Sequence, residues 1–366
     1  MKRNVLVTLA DVGHIDQAKQ LFSSVYWNAA WDGDYLLLSH GIPEDKLAWF
    51  REKGIFVYEC GSLDDKRPED VYPTTVFSKF YIFKDYFKKW QKVIFLDADI
   101  IVTYSLDELT KITGFSAKSD FESDLNHQVN LCYNYEINDR TWIDRSLERL
   151  RQKYDLNSIS FNSGVMVFDT DLITNDSFSE LIYLLKEYRD ILNFGDQLAL
   201  NLFMYKKWTR IDDSYNAFPL DKRTRHAFFK EGVIMPVLHF LGPNNKPWQK
   251  GSEFLEMWNS NLSKAEQMNF KKIVPLKKIF TPEQLSESKK AVVINERPFV
   301  IASSHFFDFR ELDILYSMKK TKEFRRLLVK GLVEQYSRNY NRFIPYYFAS
   351  FIPVSAKASI KKLFSL

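Results

Sequence analysis

The sequence predicts an α/β fold on a doubly wound, mostly parallel sheet. Two observations carry this reading. Apolar β-type runs alternate with segments of helical period from the first residues onward. The run at 93–102, Val-Ile-Phe-Leu-Asp-Ala-Asp-Ile-Ile-Val, is apolar enough to be buried on both faces of a sheet, apart from Asp97 and Asp99.

Residues 5–9 read as the first strand. Ile15, Ala18, Phe22 and Val25 recur at helical spacing behind it. A short buried strand follows at 35–38. Pro43 stands near a helix start, where its missing N–H costs little. Residues 55–58 form a third strand. Val76, Phe80, Phe83, Phe87 and Trp90 repeat at three and four, which predicts a helix lying on the sheet. The strand at 93–96 then ends at the two aspartates. This order places ligands at the carboxyl ends of the strands. Residues 114–158 are polar and mixed in charge, with a helix expected at 140–154. A strand resumes at 159–169, broken at Asn162-Ser163-Gly164. Phe178, Leu181, Ile182, Leu185, Tyr188 and Leu192 mark an amphipathic helix with Asp176 as its cap. Another helix begins near Gly195-Asp196. A last strand at 233–238 ends at His239. No internal repeat or low-complexity segment is present.

The chain has 366 residues, 45% of them hydrophobic, enough for a large core without disulfides. Cys60 and Cys132 are far apart and in no metal-ligand spacing, so they read as reduced thiols of a cytosolic protein. The apolar run at 5–10 is too short for a signal-peptide core, and none approaches a membrane span. Charge is uneven. Residues 319–366 hold eleven Lys/Arg and two acids, while the whole chain is only +4. The body is therefore mildly acidic and the tail strongly basic, which calls for an anionic partner.

Asp-x-Asp at the end of a buried strand sends both side chains to one side, because the side-chain period is two. That arrangement suits a divalent cation whose shell is completed by phosphate oxygens. A buried salt bridge or a turn-capping pair is the competing explanation. Further along come Phe161-Asn162-Ser163-Gly164-Val165, then Phe194-Gly195-Asp196-Gln197-Leu198, then His239-Phe240-Leu241-Gly242 followed by Lys246-Pro247-Trp248. With Val7-Thr8-Leu9 ahead of Leu96-Asp97-Ala98-Asp99, five motifs stand in an order that resembles glycosyltransferase family 8, over roughly residues 4–250.

The resemblance implies a GT-A nucleotide-diphospho-sugar transferase fold, a UDP-sugar donor, Mn²⁺ (with Mg²⁺ as the alternative ion) and retention of anomeric configuration. Asp97, Asp99 and His239 match the family's metal ligands, and two carboxylates with an imidazole suit Mn²⁺ better than Mg²⁺. Gly242 would let backbone N–H groups approach the diphosphate, and Lys246 would place a point charge there. Trp248 is either a contact of that site or a core anchor. Lys79 matches a family basic residue; an exposed helix lysine is the alternative. Thr8, Leu9, Asp11 and Ala98 fall where the family binds the nucleoside. Asn162 and Ser163 match residues that touch the donor sugar, and Asp196 and Gln197 the pair at its reactive face. Asp196 holds a sugar hydroxyl in this reading, with a helix N-cap as the alternative. Gln197 is a weak nucleophile, so same-face, ion-pair-like substitution is the course implied.

The expected organisation is a catalytic domain at 1–250 with an acceptor-side insertion at 114–158, a helical or mixed extension at 251–318, and a basic aromatic tail at 319–366. In that tail Phe324, Leu328, Leu332 and Tyr336 fall four apart among arginines and lysines, and 343–354 is apolar and aromatic. Twelve residues cannot span a bilayer but can lie in its interface. The expected partners are thus a UDP-sugar, a glycan or lipid-linked acceptor, and an anionic membrane surface on the cytoplasmic side. Nucleic acid is not expected, since no recognisable module accompanies the acidic body. Two other functions compete. Nucleotidyl transfer calls for a Gly-rich phosphate loop after the first strand, where only Gly13 lies. A non-catalytic membrane-associated adaptor would be expected to lose a ligand or the phosphate lysine, and all are present.

Overall fold

The structure, a computed structural model, describes residues 2–64, 73–131, 141–192, 195–219, 233–243 and 245–306. Cys132 and the whole basic tail at 319–366 lie outside the described residues.

Nine strands are described: β1 (Asn4–Asp11), β2 (Asp34–His40), β3 (Phe56–Cys60), β4 (Lys92–Leu96), β5 (Ile100–Val102), β6 (Phe115–Asp124), β7 (Ile159–Asp169), β8 (Trp208–Arg210) and β9 (Val237–His239). Seven of them form one sheet in the order β3-β2-β1-β4-β7-β6-β8, and β5 pairs with β9 in a second, two-stranded sheet. β3, β2, β1 and β4 are mutually parallel. β7 runs antiparallel to both β4 and β6, and β8 is parallel to β6. Only β7 therefore opposes the common direction. β1 lies between β2 and β4, so the chain reverses its winding there, and a crevice opens at the carboxyl ends.

Strand alternation explains why both faces are covered. Val5, Val7, Val93 and Phe95 enter one apolar cluster, while Leu6, Ile94 and Leu96 enter another across the sheet. α1 (Ile15–Asn28) and α2 (Glu44–Glu52) pack into the second cluster through Leu21, Phe22, Leu47 and Phe50. α6 (Ser177–Glu187) and α7 (Gln197–Phe203) pack into the first through Leu181, Leu185, Leu198 and Leu202. A third cluster joins Ile101, Met235, Phe240, Phe254 and Trp258, with Trp248 against it. Trp248 is partly buried against this small layer, with Lys246 Nζ 6.0 Å from its ring centroid.

The structure departs from the sequence expectations at several elements. The helix expected over Val76–Trp90 is instead two 3₁₀ segments, Thr74–Phe83 and Asp85–Lys89. A three-residue turn stacks Phe77, Phe80 and Phe83 in one row, and all three are buried. β4 ends at Leu96, as expected, and Asp97 and Asp99 follow it in the turn that leads to β5. The N–H of Ile100 donates to the Asp97 carbonyl and closes that turn. β7 runs unbroken through Asn162-Ser163-Gly164. Asp176 stands at the N-cap of α6, but its side chain makes no capping bond. β9 is shorter than expected because Pro236 has no N–H to give the ladder. The polar stretch at 114–158 opens with β6, a strand of the central sheet, and includes α4 (Leu125–Leu131) and α5 (Thr141–Lys153).

After Ser263, the end of α8 (Leu255–Ser263), the chain reaches α9 (Pro282–Phe306). Among the described residues no helix is long and apolar enough to cross a membrane.

Candidate active site

The site lies where the two sheets meet. β4 ends at Leu96, the chain turns through Asp97–Ile100, and β5 pairs with β9 so that Ile100 opposes His239. Two further backbone bonds fix the turn. The Asp97 N–H donates to the Gly164 carbonyl at 2.9 Å, and the Phe240 N–H donates to the Asp99 carbonyl at 3.2 Å. This pairing, not sequence proximity, brings His239 to the aspartates. Its Nε2 lies 3.3 Å from Asp99 Oδ1 and 3.9 Å from Asp97 Oδ2. Ligand atoms of Asp97, Asp99 and His239 all fall within 4.8 Å of one another.

The donor set fits a hard-to-borderline divalent ion. Asp99 Oδ1 is buried and accepts no hydrogen bond among the described residues, although a buried carboxylate oxygen ordinarily has a partner. Gly164 supplies the space for the imidazole: a Cβ there would stand 2.1 Å from His239 Cε1 and 2.7 Å from Nδ1. Glycine in a strand marks such a close approach; the roles read from the Asn-Ser-Gly motif fall on Asn162 and Ser163, and the close approach is the part of Gly164.

Two lysines flank the carboxylates. Lys246 Nζ pairs with Asp99 Oδ2 and also donates to the Phe240 carbonyl at 2.7 Å. Lys79, only 5% exposed, holds Asp97 at 2.9 Å and Asp196 at 3.2 Å. It is a buried bridge between two acids, not a solvated lysine. Burial pushes its ammonium toward deprotonation, but Asp196 and Asp97 outweigh that and hold its pKa above the ordinary lysine value. Burial likewise opposes ionisation of Asp99, yet the Lys246 ammonium paired with it holds its carboxyl well below the usual carboxylate range. Asp97 is shifted the other way. Its burial and the adjacent Asp99 charge together exceed the help from Lys79.

Asp196 stands at the N-cap position of α7 without capping it. Its carboxylate instead accepts from Ser163 Oγ at 2.9 Å as well as from Lys79. Gln197 Oε1 accepts from the Ser163 N–H at 3.0 Å and from Asn162 Nδ2 at 3.3 Å. Asn162 is 6% exposed and its amide faces inward. Gly242 has φ +77° with open space where a Cβ would be, a conformation that favours glycine. Within β1, Thr8 is fully buried and its hydroxyl has no hydrogen-bond partner among the described residues, and Leu9 is half-buried. Asp11 Oδ1 accepts from the Gly13 N–H at 2.9 Å and meets His14 Nδ1 at 2.7 Å. Ala98 is half-buried in the Asp97–Ile100 turn.

Sequence reading missed Asn216, Asp120, Gln128 and Lys118, all buried beside these residues. Each is a lone polar residue in no motif, so its spacing carries no signal.

Comparison with known proteins agrees with this architecture. An active-site mutant of LgtC superposes with a TM-score of 0.54 at 17% identity, over 78% of this chain and 99% of that one. Another LgtC structure is of the galactosyltransferase with donor and acceptor sugar analogues. The resemblance establishes a GT-A fold. In sequence the chain is 27% identical to the glycosyltransferase GlyB of Streptococcus pneumoniae, over 49% of this chain and 40% of that protein. It is 28% identical to the lipopolysaccharide 1,3-galactosyltransferase of Salmonella typhimurium, over 53% and 55%. The matches thus span about half the length of these relatives. The model of glycosyl transferase family 8 matches residues 42–251, more than half of the chain. On that match, joined to the fold above, the chain belongs to glycosyl transferase family 8, a family of transferase enzymes.

Proposed function

We propose that this protein transfers a hexose from a UDP-sugar, with retention of configuration, to a glycan or lipid-linked acceptor in cell-surface glycan synthesis. The observation that carries the proposal is the convergence of Asp97, Asp99 and His239 at the carboxyl edge of the sheet, with an unpartnered carboxylate oxygen among them.

In this reading Asp97, Asp99 and His239 hold Mn²⁺, with Mg²⁺ as the alternative. When bound, the ion offsets the charge of the diphosphate. Lys246 supplies a second positive charge beside Asp99, and Gly242 lets backbone approach the same oxygens. Leu9, Asp11 and Ala98 line the nucleoside side, with Thr8 buried behind them. Ser163 and Asp196 stand on the sugar side, with Asp196 poised to hold a hydroxyl, and Asn162, its amide turned inward, backs them. Gln197 is tied into buried amides and offers only a neutral oxygen, which supports substitution without an enzyme nucleophile. Lys79 holds Asp97 and Asp196 in mutual register, so it orients the metal side and the sugar side together.

The domain organisation at 1–250, 251–318 and 319–366 belongs to the same proposal. So does the peripheral attachment of the tail to an anionic membrane surface, a reading that lies outside the described residues. A screen of UDP-sugars for Mn²⁺-dependent hydrolysis or transfer tests the function. Absence of turnover with every UDP-sugar would reject it.

A further inference from the structure

We propose that Asn216 and Asn162 are positioning residues that set the tautomer of His239, so that the neutral ring always offers its Nε2 lone pair toward Asp97 and Asp99. The proposal rests on the metal-site reading above for its purpose, but not for its geometry.

Two backbone N–H groups, which can only donate, fix the orientation of the amides. The Gly164 N–H lies 3.0 Å from one end of the Asn162 amide, so that end is the oxygen. The Ser163 N–H lies 3.0 Å from one end of the Gln197 amide, so that end too is oxygen. It faces the other end of Asn162 at 3.3 Å, which must therefore be the NH₂ group. The two anchors assign Asn162 independently and agree. The far end of Gln197 is then its NH₂, and it meets Asp120 Oδ2 at 3.1 Å and Gln128 Oε1 at 2.8 Å. Gln128 in turn donates to Asp120 Oδ2 at 2.6 Å. A carboxylate acceptor terminates the chain of amides where an acceptor is needed.

Asn162 Oδ1 also lies 3.0 Å from the Asn216 amide, and an oxygen there requires Asn216 to present its NH₂. The remaining end of Asn216 is its oxygen, 2.8 Å from His239 Nδ1. Nδ1 must carry a hydrogen to meet it. The single proton of neutral His239 is thus on Nδ1, and Nε2, 3.3 Å from Asp99 Oδ1, is a lone pair. The opposite tautomer would give Nε2–H to Asp99 and make the pair a structural hydrogen bond with no ligand to offer.

Burial makes the assignment firm. Asn216 is fully buried, His239 is 3% exposed and Asn162 6%. Amides there cannot turn to water, and a reversed amide would set oxygen against oxygen at hydrogen-bond distance. The Asn216 backbone is fixed as well, since its carbonyl accepts from Lys118 Nζ at 2.9 Å. Orienting partners of metal-bound imidazoles are commonly single carboxylates or carbonyls. Here the orientation is relayed through two side-chain amides from the β7 backbone.

The test uses full-length protein labelled with ¹⁵N-histidine, without metal, at a pH where the His239 nitrogen shifts no longer move. Long-range ¹H–¹⁵N correlation should show Nδ1–H in the wild type. Asn216→Leu, similar in size but without an acceptor, should shift to Nε2–H. Its Mn²⁺ dissociation constant should rise about 10- to 100-fold, the usual effect of losing an orienting partner. An Nε2–H pattern in the wild type overturns the proposal, and so does an Asn216→Leu protein whose tautomer and Mn²⁺ affinity match the wild type. If Asn216→Leu does not fold, the wild-type spectrum alone still decides. Nδ1–H in a wild-type protein that binds no Mn²⁺ upholds the relay and counts against the metal reading instead.

Discussion

Gly164 lies directly beneath the His239 imidazole: a Cβ at 164 would stand 2.1 Å from Cε1. The contact ties β7 of the central sheet to β9 of the small one, across the two aspartates. Gly164→Ala should therefore push the imidazole off Asp97 and Asp99. The expected loss is about 1–3 kcal/mol of stability from overpacking. Mn²⁺ affinity should fall by more than that strain alone explains. Urea unfolding and Mn²⁺ titration of the same variant measure both. Wild-type Mn²⁺ affinity would show that the imidazole is not a ligand.

Lys246 tests the charge on the diphosphate. Lys246→Ala should lower kcat by about 10²-fold, the scale for removing one preorganised stabiliser. A rise in KM with kcat unchanged would limit the lysine to binding.

Lys118 and Glu296 form an ion pair, 2% and 4% exposed, that pins β6 to α9 beside Asn216. Breaking it should cost about 3–5 kcal/mol at pH 8. Burial already raises the Glu296 carboxyl above its ordinary value, with Lys118 opposing. Lys118→Met removes that opposition, so the folded-state pKa rises further. A raised carboxyl is compatible with the fold while protonated and costs stability as pH climbs through the folded value. The gap between Lys118→Met and wild type should thus narrow from pH 8 to pH 5. A gap independent of pH would mean that Glu296 is not left charged and buried.

Much of this was readable beforehand, and the reasons are physical. β1, β2 and β4 are buried on both faces, so each is rich in apolar residues, and Asp97 and Asp99 stand out after the apolar run of β4. His239 is 140 or more positions away, and only the order of motifs pointed to it; the β5–β9 pairing that delivers it leaves no periodic trace. β6 was hidden because its residues read Phe-Ser-Ala-Lys-Ser-Asp. Lys118 and Asp120 satisfy their charges inside the molecule, and the register with β7 shifts on either side of them. The amides of Asn162, Asn216 and Gln128 become meaningful only once their partners have distances.

The basic tail separates catalysis from localisation. Deleting residues 319–366 should release the protein from anionic liposomes and leave UDP-sugar hydrolysis nearly unchanged, because every proposed donor and metal residue precedes 249. Binding of the intact chain should weaken with salt, each basic residue contributing at most about 1 kcal/mol. Co-sedimentation measures it. An intact chain that ignores anionic liposomes at low salt would remove the membrane from the account.

The central claim is that Asp97, Asp99 and His239 hold a divalent ion that UDP-sugar turnover requires. The most direct measurement is UDP release with the preferred UDP-sugar, with and without EDTA, in the wild type and in Asp99→Asn. The account predicts Mn²⁺-dependent release in the wild type, abolished by EDTA and restored by added Mn²⁺, and none above background in a folded Asp99→Asn protein. Undiminished release in EDTA, or by Asp99→Asn, would contradict it.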